Sequence, residues 1–144
     1  MKVIAKYTNK IVLRFEIGDE LIENLKSFCK NEGITSAFFY GIGAAQSATI
    51  SSYHLSGQKY DSEELGEYEI APIVGNVTLS EDQIFIHAHV NLGFKDKPNK
   101  AGHVKKLIVA ATCEILLEVL PMQITRIHSD EVGLNLMEPT GIND

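Results

Sequence analysis

Three histidines carry the most conspicuous chemistry in this chain: His87 and His89 in Ile84-Phe85-Ile86-His87-Ala88-His89-Val90, and His103 directly after Gly102. The alternation of the first segment puts His87 and His89 on one face of a strand, with Ile86, Ala88 and Val90 on the other. Residues two apart on a strand have Cα atoms roughly 6.5 Å apart, so both imidazoles can reach one ion at ~2.1 Å each. His103 follows the loop Gly93 to Gly102, which lets the chain turn back and present a third nitrogen. Three protein ligands with a fourth position left to water or substrate is the arrangement of catalytic zinc sites, whereas closed structural sites use four. On spacing alone a second reading stands equally: two histidines packed on a polar sheet face and hydrogen-bonded to neighbours.

Other residues could join such a site. His54 ends a neighbouring β segment, as a fourth ligand, a pocket base or a strand-end surface residue. Glu67 and Glu69 lie on an alternating strand and are candidates to orient a ligand or act as a base; solvent-facing carboxylates are the plainer reading. Lys95, Lys97 and Lys100, in the loop before His103, could attract an anionic substrate or simply be solvated. His128, beside Arg126 and Asp130, reads as structural or exposed.

Lys2 to Thr8 and Ile11 to Ile17 are expected to form two strands around a turn at Asn9-Lys10. A helix follows, with Asp19 as N-cap, Leu21, Ile22, Leu25, Phe28 and Cys29 on one face, and Gly33 as its left-handed stop. The remainder is largely β. Ser36 to Tyr40, Gln46 to Leu55, Glu67 to Leu79 and Gln83 to Val90 read as strands, with a hairpin turn at Ser80-Glu81-Asp82 and polar loops at 56–66 and 93–102. Val104 to Val119 fits a helix or a buried strand, with β-branched residues favouring strand at its end. Ile124 to Ile127 and Leu134 to Met137 suggest a final hairpin. One principal N-terminal helix against many strands predicts a single α+β domain over residues 1–144, with a mainly antiparallel sheet.

Composition sets the outer limits. At 144 residues the chain has the length of one ordinary domain. A net charge of −6 argues against direct binding to phosphate backbones, which needs clustered Lys and Arg. Cys29 and Cys113 are too few for a disulfide framework. No apolar run is long enough to cross a bilayer and the first residues lack a signal-peptide pattern, so a cytoplasmic protein is expected. Gly41-Ile42-Gly43 precedes a strand and fails as a dinucleotide fingerprint, and no nucleophile triad or phosphate loop is visible.

Several stretches together resemble the stand-alone prokaryotic form of the PPC domain (plants and prokaryotes conserved domain). They are Phe39-Tyr40-Gly41-Ile42-Gly43-Ala44, Ile73-Val74-Gly75-Asn76-Val77, Phe85-Ile86-His87-Ala88-His89-Val90, Ala101-Gly102-His103-Val104 and Thr112-Cys113-Glu114-Ile115, with Arg126 to Leu134 fitting the final strands. The resemblance implies a homotrimer and a divalent metal, usually zinc, held by His87, His89 and His103. It also implies a fold distantly similar to that of acetolactate decarboxylases. The AT-hook tracts of plant members have no counterpart, since arginine occurs only at Arg14 and Arg126. The Gly-Arg-Phe-Glu motif of the plant domains is replaced by Gly66-Glu67-Tyr68-Glu69-Ile70. Two functions follow as expectations: binding or conversion of a small molecule at the metal, or a regulatory scaffold with a structural metal that meets DNA through a partner.

Overall fold

The computed structural model describes residues 1–139 as nine strands and one α-helix. In chain order these are β1 (Lys2–Tyr7), β2 (Lys10–Glu16), α1 (Leu21–Glu32), β3 (Ala37–His54), a 3-10 turn (Leu55–Gly57), β4 (Lys59–Leu65), β5 (Tyr68–Ser80), β6 (Gln83–Phe94), β7 (Lys97–Val119), β8 (Thr125–Ser129) and β9 (Leu134–Glu138). Every pairing is antiparallel except the short parallel contact of β8 with β5. The α+β class, with one helix against a mainly antiparallel sheet, is therefore as expected.

Four strands close on themselves. β3 pairs with both β5 and β7, and β6 bridges β5 to β7, so β3–β5–β6–β7 form a ring. Closure follows from the length of β3 and β7, each of which pairs with different neighbours along its course. Inside the ring the alternate residues Val77, Ala88, Val90, Leu92, Leu107 and Val109 are almost fully buried. The other face of the same strands points outward, and that is where His87 and His89 stand. β1 and β2 extend the sheet beyond β7, and α1 packs its Leu21, Leu25, Phe28 and Cys29 stripe against β6 and β7.

The helix starts differently from the expectation. Glu20, not Asp19, is the N-cap: its carboxylate accepts from Ile22 N at 3.4 Å and Glu23 N at 2.6 Å. It also accepts from Leu107 N at 2.9 Å, tying the helix to β7. Asp19 is taken elsewhere, accepting from Glu16 N at 2.8 Å and pairing with the terminal amine at 2.6 Å. Gly33 is the left-handed stop expected of it, at φ 67°.

Two expected loops are strands. Residues 59–65 form β4 along the otherwise open edge of β3, and β6 and β7 run to Phe94 and from Lys97, around a tight turn at Lys95-Asp96. Neither segment buries one face, so neither carries the alternation by which strands are recognised. Val104 to Val119 belongs wholly to β7. The turn at Glu81-Asp82 is a two-residue hairpin with φ of 50° and 58°, the primed geometry that matches strand twist.

Candidate metal centre

β6 and β7 bring the three histidines together by register. His89 lies directly opposite His103, and His87 is two residues back on the same face of β6. Directly opposed residues have Cβ atoms about 5 Å apart, so convergence needs no special loop. The ring centroids are 5.2 Å apart for His87–His89 and His87–His103, and 5.6 Å for His89–His103. One nitrogen from each ring lies within 4.8 Å of the others. Around a tetrahedral zinc with ~2.1 Å bonds, ligand nitrogens stand ~3.4 Å apart, a contraction that side-chain rotation alone can supply.

The donor set fits a divalent metal. All three groups are imidazoles, which coordinate as neutral bases. Burial holds His87 down to about 4, helped by the nearby His103, Arg126 and His89. Burial likewise lowers His103, with His89 and Lys105 adding to the effect. Both are therefore neutral near pH 7 and free to donate a lone pair. His103 Nδ1 is buried without a hydrogen-bond partner, the kind of orphan that coordination or a proton shared with a ligand would satisfy.

Beside the histidines lies a cleft of about 400 Å³. Phe38, Tyr40 and Val74 form its apolar wall, and Asn76, His87 and His89 its polar end. Asn76 sits directly across from His87 on β5, and Phe38 directly across from Asn76 on β3. Glu118, opposite Phe38 on β7, is the carboxylate of this lining. Gly75 makes the wall possible: a Cβ there would stand 2.4 Å from His87 O and 2.5 Å from Phe39 Cζ.

The final hairpin spans these strands. At its base, β8 pairs with β5 at Leu79 and Ser80. At its tip, Val132 O accepts from the Tyr53 hydroxyl, while Asp130 O and Glu131 O accept from Gln58 Nε2. Tyr53 and Gln58 belong to the far side, beyond β6 and β7. Tyr53 in turn packs on Tyr60, whose ring lies 5.5 Å from that of His103.

The other candidate residues lie outside the histidine cluster. His54 Nε2 pairs with Asp61 Oδ2 at 3.0 Å across β3 and β4. Glu67 and Glu69 are exposed, and Glu69 lines a separate cleft with Ile42, Thr112 and Glu114. Lys97 donates to Glu67 O and lies over the rings of Tyr68 and Phe94, and Lys100 pairs with Glu63 at 2.6 Å. His128 is exposed, within hydrogen-bond reach of Asn135. The roles of Asn76 and Arg126 escaped the sequence reading, because only strand pairing sets Asn76 opposite His87 and only the folded hairpin brings Arg126 to Asn76. Burial pushes both thiols, Cys29 and Cys113, up to about 12, so neither is reactive. Among the described residues no helix is long and apolar enough to cross a membrane.

Solved structures resemble this architecture over nearly the whole chain. A PPC protein from Pyrococcus horikoshii is 32% identical, with 94% of each chain covered and a TM-score of 0.84. A metal-containing protein from Archaeoglobus fulgidus is 30% identical, covering 96% of this chain and 100% of that one, with a TM-score of 0.84. A protein from Bacteroides thetaiotaomicron, provisionally described as DNA-binding, is 28% identical, covering 93% and 94%, with a TM-score of 0.89. Acetolactate decarboxylase from Bacillus subtilis shares the fold alone, at 12% identity and TM-score 0.62, over 83% of this chain and 56% of that enzyme. No curated protein matches the sequence. The family model of the Plants and Prokaryotes Conserved domain matches residues 4–121, and the chain belongs to that family.

Proposed function

We propose that this protein is a homotrimeric metal-binding domain that holds a divalent ion, zinc by preference, on His87, His89 and His103, and binds or converts a small molecule in the adjoining cleft. The observation that carries this reading is the convergence of three imidazole nitrogens within 4.8 Å of one another beside a cleft that His87 and His89 line. The Archaeoglobus relative is described as metal-containing, which agrees with it. Three histidine ligands leave one coordination position open, and zinc bound there would supply a Lewis acid and an acidified water. The chain's own part is to keep His87 and His103 unprotonated by burial, to fix both rings from paired strands, and to line the approach with apolar Phe38, Tyr40 and Val74.

A trimer is supported by the outer face of β3 and β5. Phe38, Tyr40, Ile42 and Val74 are between 46% and 61% exposed on one continuous surface. Apolar surface of that kind marks an interface. The same face forms the wall of the cleft, so a neighbouring copy would narrow the approach to the histidines.

The reading is tested on protein purified without a histidine tag. Elemental analysis should find close to one zinc per chain, and His87→Ala should lower retention at least ~10-fold. Metal-free wild type, or a His87→Ala variant that keeps its metal, overturns it. The provisional description of the Bacteroides relative as DNA-binding favours a second role, association with DNA, for which this chain would need a partner. A net charge of −6 makes direct contact with the duplex unfavourable.

A further inference from the structure

One cation beside the histidines has no anion among the described residues. Arg126 of β8 lies over the outer face of β5 and β6, with its guanidinium carbon 5.1 Å from the centre of the Phe85 ring. It donates from Nε to Thr78 Oγ1 at 2.9 Å, from one terminal nitrogen to Asn135 O at 2.8 Å, and from the other to Asn76 Oδ1 at 3.0 Å. All three acceptors are neutral, and Arg126 makes no ion pair among the described residues. Thr78 beneath it is fully buried, so the charge is held against a dry surface. Arg126 itself is half-buried, and a charge partly withdrawn from water gains from a nearby anion.

The Asn76 contact carries this charge to the site. Arginine has no acceptor, so Asn76 must turn Oδ1 toward it, which directs its Nδ2 donors away from the arginine. Asn76 lines the cleft and is the cross-strand neighbour of His87, and Nδ2 has no partner among the described residues. Glu118, the lining carboxylate, is three strands away from His87 in the same row, about 14 Å at the usual strand spacing. Lys105, which donates to Ser62 Oγ at 2.7 Å and lies over Tyr60, adds a second cation on the His103 side. A dication on three neutral imidazoles would raise the local positive charge further.

We propose that the cleft takes a small carboxylate: one end of the ligand reaches the histidine-bound metal, its carboxylate accepts from Asn76 Nδ2, and Arg126 is the positioning residue that aims that amide and supplies the balancing charge. This assignment rests on the metal reading above and extends it to a ligand class.

The test uses the full chain loaded with Co(II), whose visible spectrum reports the open coordination position. Wild type should respond to pyruvate and also to imidazole, a neutral metal ligand. Asn76→Asp removes the donor and gives Arg126 the anion it lacks. That variant should fold with a Tm no lower than wild type, keep its Co(II) and its imidazole response, and lose pyruvate affinity by roughly 10- to 100-fold, the worth of a charge-assisted hydrogen bond. Arg126→Gln should show the same split between pyruvate and imidazole, and Arg126→Lys should recover part of the loss. Inorganic phosphate competing as well as pyruvate overturns the carboxylate assignment. Co(II) uptake with equal pyruvate affinity in wild type and Asn76→Asp overturns the inference and leaves the metal site standing. Failure of wild type to take up Co(II) overturns both.

Discussion

His87 and His103 are held as neutral bases by the packing around them, and that has a consequence for the metal-free chain. In the unfolded state His87 titrates near 6.5, and in the folded state burial first, then neighbouring charge, lowers it to about 4. Between those values the unfolded chain binds a proton that the folded one refuses, so stability rises with pH across this window. Thermal melts of metal-free protein should therefore lose midpoint steadily as pH falls from about 6.5 toward 4, and the contribution should be flat above 7. His87→Gln should flatten that part of the profile. A wild-type midpoint independent of pH over the window would refute the assignment of His87 as a buried neutral base.

At the scale of elements, the critical object is the pairing of β5, β6 and β7, and Gly75 is where it is tightest. Alanine at 75 would set a methyl group against the backbone carbonyl of His87, which cannot step aside as a side chain can. Gly75→Ala should cost roughly 1–3 kcal/mol in denaturant unfolding, typical of overpacking, and should weaken metal retention by shifting the strand that bears His87. Unchanged stability and retention would mean that β6 moves freely, contrary to its close pairing. The histidine trio was legible in the sequence because His-x-His on an alternating strand declares its face. The means of bringing His103 to it was not: the polar run before it has no buried face, so a continuous strand read as a loop. Glu67 and Glu69 looked close on the same segment as Asn76, yet Glu67 falls just before β5 and strand rise carries Glu69 to another cleft. Asn76 itself has no sequence signal, because its role depends on standing opposite His87.

Over the whole molecule, the outward β3 face is an apolar surface left unmatched among the described residues. A stable subunit contact needs about 800 Å² from each partner, and Phe38, Tyr40, Ile42 and Val74 form a nucleus for one. Tyr40→Asp should convert the assembly toward a 15.9 kDa monomer in size-exclusion chromatography with light scattering, with the secondary structure intact by circular dichroism. A wild type that already runs as a monomer would remove the trimer from the proposal. The cationic groups near the histidines are local features of a molecule with net charge −6, so an anionic ligand would be drawn by the site itself and not by the surface at large.

The hairpin that carries Arg126 follows every strand of the ring. All ring strands, with all three histidines, are complete by Val119, whereas β8 begins at Thr125. A chain emerging from the ribosome thus exposes the residues for its metal before the arginine that would select what the metal meets. The metal ligands and the positioning arginine lie in consecutive stretches, joined afterwards through Thr78, Asn76 and the Tyr53 contact. Selectivity can accordingly be rewritten by exchanging the last hairpin, with the histidine ligands left untouched.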